Sequence, residues 1–313
     1  MSHKIVFLDR ATLGVPLRKA SFPHTYTEYD ATSVDQIVER LADAEIAIIN
    51  KVPMRAATLE KLPKLKLIAV AATGTDVVDK AYAKAHGITV SNIRAYAVNT
   101  VPEHTLALIF ALRRSLIPYH VDTQNGKWQT INQFCYFDHP IRDIAGSTRG
   151  LIGYGALGKS VGVRAEALGM KVIATDAFPF EGMVDLKTLL KESDIVSLHC
   201  PLTDSTRNII GKEELKLMKK DAILINTARG GLVDEAALAE ALKSGEIGGA
   251  GFDVLTSEPP KDGNVLLDPS IPNLIITPHV AWASVEAMTG LSNQLMDNVE
   301  AWVAGTPRNV VTE

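Results

Sequence analysis

Cysteine is nearly absent: Cys135 and Cys200 are the only two in 313 residues. That leaves no disulfide framework and no C-x-x-C pair, and no Cys/His spacing suited to a metal, so no metal is expected. Such usage fits a reducing cytosol. An excess of positive charge is also lacking, since 32 lysines and arginines stand against 36 acids for a net charge of −4. This argues against a general nucleic-acid binder or a protein of anionic membrane surfaces. No apolar run approaches the length of a transmembrane helix. The opening MSHKIVFLDR is a charged start leading into a short strand, not a secretory signal. No solenoid-type repeat and no low-complexity linker interrupts the chain. The expectation is a soluble, cytoplasmic protein without nucleic-acid or membrane partners.

What is present begins at Gly150, in GLIGYGALGKSVGVRAEALGMKVIATD. Gly153, Gly155 and Gly158 form G-x-G-x-x-G between a short apolar run and a stretch of helical spacing that Gly169 ends. A second strand follows and closes on Asp176, 18 residues after Gly158 (176−158). Each part has a physical task. The first glycine permits a tight turn, the second lets a pyrophosphate approach the backbone, and the third lets helix and strand pack closely. The anion sits on unpaired N–H groups at the helix start, and the acid is spaced to hold an adenosine ribose. Glycines also mark ordinary turns, but here strand, helix and acid agree on a dinucleotide. After Asp176 comes Ala-Phe-Pro-Phe, with no cation to meet a 2′-phosphate, so NAD is preferred over NADP.

With 46% hydrophobic and 22% charged residues, the chain is long enough for two domains, each with its own core. Strands are expected at Lys4–Asp9, Glu45–Asn50, Leu67–Ala71 and Ile88–Ser91, with helices at Ser33–Leu41, opened by a capping box, and Val77–His86. Thr100-Val-Pro-Glu103 has the form of a second capping box, opening one long apolar helix through Asp122, in which His104 is structural. An irregular, aromatic arm spans Gly126–Gly146 and is expected to pack elsewhere, as on a partner subunit. Further strands are expected at Asp194–Cys200, Ala222–Thr227, Gly249–Val254 and Asn273–Thr277, and helices at Asp234–Ser244 and Ser284–Ala304. Pro307–Val311 is expected to return to the first domain as extended chain. Buried strands alternating with helices predict an α/β fold of two doubly wound parallel-sheet domains. A Rossmann cofactor domain would span 99–283, and a flavodoxin-like substrate domain would combine 1–98 and 284–313.

Ligands of open parallel sheets lie beyond the carboxyl ends of the strands. Arg229, Glu258 and His279 follow three successive strands there. Singly they could be a surface cation, a loop acid and a turn histidine; together they mark a site. Reduction of a ketone needs a proton donor for the developing alkoxide, which His279 fits. Glu258 can orient its ring and hold the imidazolium charged, and Arg229 can clamp a carboxylate through its planar fork.

With these residues in place, the chain resembles the D-isomer-specific 2-hydroxyacid dehydrogenases across nearly its whole length. The matching motifs are GYGALG at 153–158, LHCPLT at 198–203, INTARGGLVDEAAL at 225–238, GFDVLTSEPP at 251–260 and TPHVAW at 277–282. The resemblance implies the catalytic roles of Arg229, Glu258 and His279. It also implies a substrate-carboxylate loop at Ala72–Asp76, with Thr73, Gly74 and Thr75. Cofactor contacts are implied at Thr100, Gly153, Gly155, Ala156, Leu157, Gly158, Asp176, His199, Pro201, Thr227, Ala228 and Asp253. Within the family the chain is most similar to the glycerate dehydrogenase, or hydroxypyruvate reductase, branch, through Asn50–Pro53 and Asp143–Thr148. Arg149 departs from the aliphatic residue expected at its place. The implied activity is NADH-dependent reduction of a small 2-keto acid, hydroxypyruvate or glyoxylate, to the D-2-hydroxy acid. A homodimer joined through the cofactor domain is implied as well, and no appended regulatory domain is expected. Two α/β units joined by a few crossings predict a hinge that closes over both ligands. D-lactate-type enzymes remain an alternative, as do NAD-sensing corepressors that keep the fold without the reaction. Formate dehydrogenases fit less, having Gln where Glu258 stands.

Overall fold

The computed structural model describes residues 2–311. They divide into two compact units, one formed by the chain through Tyr96 together with the residues from Ala283 onward, the other by Ala97–Trp282.

The first unit contains five parallel strands: β1 (His3–Phe7), β2 (His24–Glu28), β3 (Ile46–Ile49), β4 (Leu67–Val70) and β5 (Thr89–Ser91). Their order is β2-β1-β3-β4-β5, the flavodoxin-like arrangement. β3 and β4 are apolar and buried at every position, as a sheet covered on both faces requires. β2, which the sequence reading did not place, reads HTYTE and has four exposed residues out of five, so it carries no buried run to recognise. The helix expected from Val77 starts later, at Lys80–Ala85, because Asp79 caps it by accepting from Tyr82 N–H. The last helix, Val285–Val303, packs on β4 and buries Leu291, Leu295, Met296 and Val299. Extended chain then returns, Val310 bridging Ser91 and Val311 N–H donating to Val90 O at 2.8 Å.

The second unit contains β6 (Thr148–Ile152), β7 (Lys171–Thr175), β8 (Ile195–Leu198), β9 (Ile223–Asn226), β10 (Gly249–Phe252) and β11 (Leu274–Ile276). All pair in parallel in the order β7-β6-β8-β9-β10-β11, so the order reverses between β6 and β8, where a doubly wound sheet opens its ligand crevice. Two local expectations are corrected here. The apolar stretch after Thr100 is not one helix: it breaks at Ser115, whose φ of +49° is left-handed, into Thr100–Arg113 and Leu116–Gln124. Ser115 Oγ donates to Pro140 O at 2.5 Å, a distant contact that no local pattern announces. The capping box at Thr100–Glu103 does not form either, because Thr100 lies inside the helix and its hydroxyl donates to Ala281 O at 3.1 Å. Among the described residues no helix is long and apolar enough to cross a membrane.

The helix Thr100–Arg113 lies on β9 and β10. Gly251 makes that approach possible, since a Cβ there would sit 3.1 Å from both Leu108 Cβ and Ile225 Cδ1. Gly251→Val should overpack this contact and cost about 1–3 kcal/mol. A lowered urea midpoint checks it; an unchanged midpoint would show that the helix yields freely.

Candidate active site

The glycine turn joins β6 to the helix Ala156–Ala167. Gly153 has φ +97°, and a Cβ there would come within 2.6 Å of Cys200 N; a Cβ on Gly158 would strike Gly153 O at 2.1 Å. These two glycines are therefore demanded by the fold of the turn itself. Gly155 is different, for a Cβ there would meet nothing within 4 Å. No side chain caps the helix that begins after Gly155, at Ala156 and Leu157. Open approach and uncapped N–H groups fit the pyrophosphate of a dinucleotide.

Asp176 stands directly after β7, and its carboxylate also braces the turn: Oδ2 accepts from Tyr154 N–H at 2.5 Å and Oδ1 from Phe178 N–H at 3.0 Å. Partial burial works against its charge, but the N–H groups of Tyr154, Phe178 and Ala177 and the nearby Lys159 outweigh it and hold the carboxyl below its usual range. The group is therefore an anion at the place where an adenosine ribose would lie. After β8 come His199 and Pro201; His199 N–H donates to Ile152 O at 2.7 Å, fixing it beneath the turn. Burial, reinforced by the charge of Arg149, pushes the His199 imidazole down to about 3, so the ring is neutral. Burial pushes the Cys200 thiol up to about 11, which leaves it unreactive as a nucleophile.

Beyond β9, Thr227, Ala228 and Arg229 share one tight turn. Buried Asn226 organises it, accepting from Ala228 N–H at 3.1 Å and donating to Arg229 O at 2.9 Å. Thr227 Oγ1 lies 2.9 Å from Thr105 Oγ1, and since Thr105 gives its hydrogen to Val101 O, Thr227 is the donor. Gly230 is required because a Cβ would lie 1.9 Å from Leu255 O, in the turn after β10. The Arg229 guanidinium is exposed; it donates to Ala228 O at 2.7 Å.

Asp253, only 1% exposed, follows β10 and holds the last strand end in place. Oδ1 accepts from Thr277 Oγ1 at 2.6 Å and from Val280 N–H at 2.9 Å, and Oδ2 accepts from Ala281 N–H at 2.8 Å. His279 N–H donates to Asp253 O at 2.8 Å, and Trp282 Nε1–H donates to His279 O at 3.0 Å. Held in this way, His279 adopts a left-handed φ of +56°. Its Nδ1 meets Glu258 Oε2 at 2.5 Å, while Glu258 Oε1 accepts from Leu255 N–H at 2.8 Å. Both side chains are part-exposed. His104 Nε2 donates to Thr277 Oγ1 at 3.0 Å and so acts as a brace.

Glu258 and His279 are thus in direct contact, and Arg229 stands on the neighbouring strand end. Thr73, Gly74 and Thr75 belong to the first unit, in the loop after β4. There Thr73 Oγ1 donates to Ile93 O at 2.9 Å, and Asn92 Nδ2 donates to Thr73 O at 2.8 Å. Sequence reasoning missed Asn226 and the bracing role of Asp253. A polar residue closing the apolar strand Ile-Leu-Ile-Asn was the available signal for the first. Among the described residues no group of His, Cys, Asp and Glu is arranged to hold a metal.

The chain is similar to known proteins over most of its length. The model of the family described as D-isomer specific 2-hydroxyacid dehydrogenase, NAD binding domain, matches residues 106–281. A glycerate dehydrogenase of Methylorubrum extorquens is 67% identical over 312 residues, covering 99% of each chain. A hydroxypyruvate reductase of Blautia hydrogenotrophica is 37% identical over 92% of this chain and 91% of its own. The crystal structure of D-lactate dehydrogenase from Aquifex aeolicus, complexed with NAD and lactic acid, superposes with a TM-score of 0.83 at 30% identity, covering 96% of each chain.

Replacing Asp176 by Ser removes the anion that repels a 2′-phosphate and two of the bonds that hold the turn. NADH should bind about ten- to a hundredfold more weakly, while NADPH loses less. Fluorescence titration with both nucleotides checks this; an unchanged NADH-to-NADPH ratio would remove Asp176 from the ribose site.

Proposed function

The chain belongs to the D-isomer specific 2-hydroxyacid dehydrogenases, and from that premise we propose that it reduces hydroxypyruvate or glyoxylate to the corresponding D-2-hydroxy acid. It is an NAD-dependent oxidoreductase. The observation that carries the reading is the Glu258–His279 contact at the carboxyl edge of the second sheet. The names of its relatives, glycerate dehydrogenase, hydroxypyruvate reductase and glyoxylate reductase, support the choice of substrate.

When bound, the reduced nicotinamide supplies the hydride. Everything else falls to the protein. His279 gives a proton from Nε2 to the substrate oxygen as it gains charge, because Nδ1 is engaged by Glu258 and only Nε2 is free to face a ligand. Glu258 fixes the ring through its contact with Nδ1. In the oxidative direction the same nitrogen accepts the proton. Arg229 offers two parallel N–H donors to the carboxylate. A binding protein without catalysis would have no need of the bonded acid–histidine pair, which favours the enzyme.

The two cysteines are both unbridged, which supports a cytoplasmic setting. We also assign a homodimer. The second unit exposes Leu116, Ile117, Val121, Trp128, Phe134 and Phe137, the last two at 89% and 82%, respectively. Phe110, Arg114, Ile144 and Leu168 also line a groove of about 330 Å³ whose lining includes no candidate catalytic residue. Apolar surface of this extent calls for a covering partner.

His279→Ala should lower kcat for hydroxypyruvate reduction by about 10²–10⁴-fold. Arg229→Lys keeps the charge but loses the fork, so kcat/KM should fall by about ten- to a hundredfold. Steady-state kinetics across small 2-keto acids checks both; near-native activity of His279→Ala would end the proposed proton transfer. For the assembly, Phe134→Asp combined with Phe137→Asp should convert the dimer to a monomer in analytical ultracentrifugation, and a wild-type chain that sediments as a monomer would refute the pairing.

A further inference from the structure

Arg149, the second residue of β6, has the largest fully buried side chain among the described residues. Its Nε and Nη1 have no hydrogen-bond partner, and among the described residues no carboxylate pairs with it. Burial alone pushes the guanidinium down to about 9. The one bond it makes runs from Nη2 to Ser197 Oγ, at 3.1 Å on the adjacent strand β8. Ser197 Oγ in turn lies 2.8 Å from His199 Nε2. Arg149 is opposite Ile195 in the register of β6 and β8, so Ile195, Ser197 and His199 alternate onto one face of the sheet, and the chain of bonds runs toward its carboxyl edge.

Hydrogen bookkeeping gives this chain a direction. A guanidinium only donates, so Ser197 Oγ accepts from it, and the single serine hydrogen passes to His199 Nε2. That nitrogen must then be unprotonated, which places the hydrogen of the neutral ring on Nδ1. His199 lies against the glycine turn: a Cβ on Gly153 would be 2.7 Å from His199 C, and one on Gly158 would be 3.7 Å from His199 Cβ. We propose that Arg149 is a positioning residue that, through Ser197, locks His199 as the neutral Nδ1–H tautomer and so keeps an N–H donor beneath the dinucleotide turn. The inference rests on the reading of that turn as the NAD site. It also accounts for a buried cation that a well-packed core would otherwise replace with an apolar side chain.

Arg149 is the one charged group that acts on His199; Asp176 after β7 and Asp253 after β10 make no ion pair with it. The test is made on the cofactor-free protein with ring-labelled histidine, by NMR of the His199 nitrogens and Cδ2 between pH 5 and 8. Wild type should show a single Nδ1–H form that does not titrate. Arg149→Met should bring a mixture of tautomers or a titration into that range, and Ser197→Ala the same, whereas Ser197→Thr, which keeps the hydroxyl, should retain the wild-type signature. A purely structural role would change the thermal midpoint and leave the tautomer fixed, so an unmoved His199 signal in both Arg149→Met and Ser197→Ala overturns the proposal. So does a wild-type ring protonated on Nε2. NADH titration provides the second arm: the two disruptive variants should bind roughly three- to tenfold more weakly. A changed tautomer with unchanged NADH affinity would overturn the link to the cofactor, and failure of wild type to bind NADH would instead overturn the reading of the turn.

Discussion

The candidate active-site edge of the second unit depends on one buried carboxylate. Asp253 receives Thr277 Oγ1–H, Val280 N–H and Ala281 N–H, and its own carbonyl receives His279 N–H. Together these bonds fold the segment after β11 back onto the end of β10. His279 pays for that turn with a left-handed backbone, a conformation that costs a non-glycine residue roughly 1–2 kcal/mol. Charge-assisted bonds from three donors exceed that cost. The ring is thereby carried to Glu258, whose other oxygen is anchored on Leu255 N–H. Glu258 and His279 are thus brought together by backbone anchors, not by the chance of two flexible side chains meeting.

A second constraint governs the cofactor end. The glycine turn is so tight that Gly153 and Gly158 exclude any side chain, and Asp176 ties the turn to the end of β7. One carboxylate there serves both the loop's shape and the anionic surface that a ribose hydroxyl would meet. Beneath it, β6 carries an arginine where packing alone would favour a hydrocarbon, and the burial it imposes is relieved only through Ser197. Stability is exchanged at this point for a directed line of donors.

Much of the fold was legible because β3, β4, β8 and β9 are apolar and buried at nearly every position, and their breaks coincide with caps such as Asp234 before Glu235–Ser244 and Gly245 after it. β2 was not legible: an edge strand of exposed polar residues owes its shape to pairing with β1, which local pattern does not encode. The break at Ser115 escaped for a similar reason, since the apolar pattern continues through it and the stop comes from Pro140. At the candidate site, Arg229, Glu258 and His279 could be picked out by type and by their place after strands. Their connections could not. Asp253 and Asn226 act through bonds to turns 25 or so residues away or within their own loop, and Arg149 reaches Ser197 across 48 residues of sequence.

The central claim is that Glu258, by holding Nδ1 of His279, aims the other ring nitrogen for proton donation. It is tested most directly by kcat for hydroxypyruvate reduction in wild type, Glu258→Gln and Glu258→Ala. Glutamine can keep one bond to Nδ1, whereas alanine leaves the ring unheld. The account predicts that kcat falls by roughly ten- to a hundredfold in Glu258→Ala and clearly less in Glu258→Gln. Wild-type kcat in Glu258→Ala would contradict it.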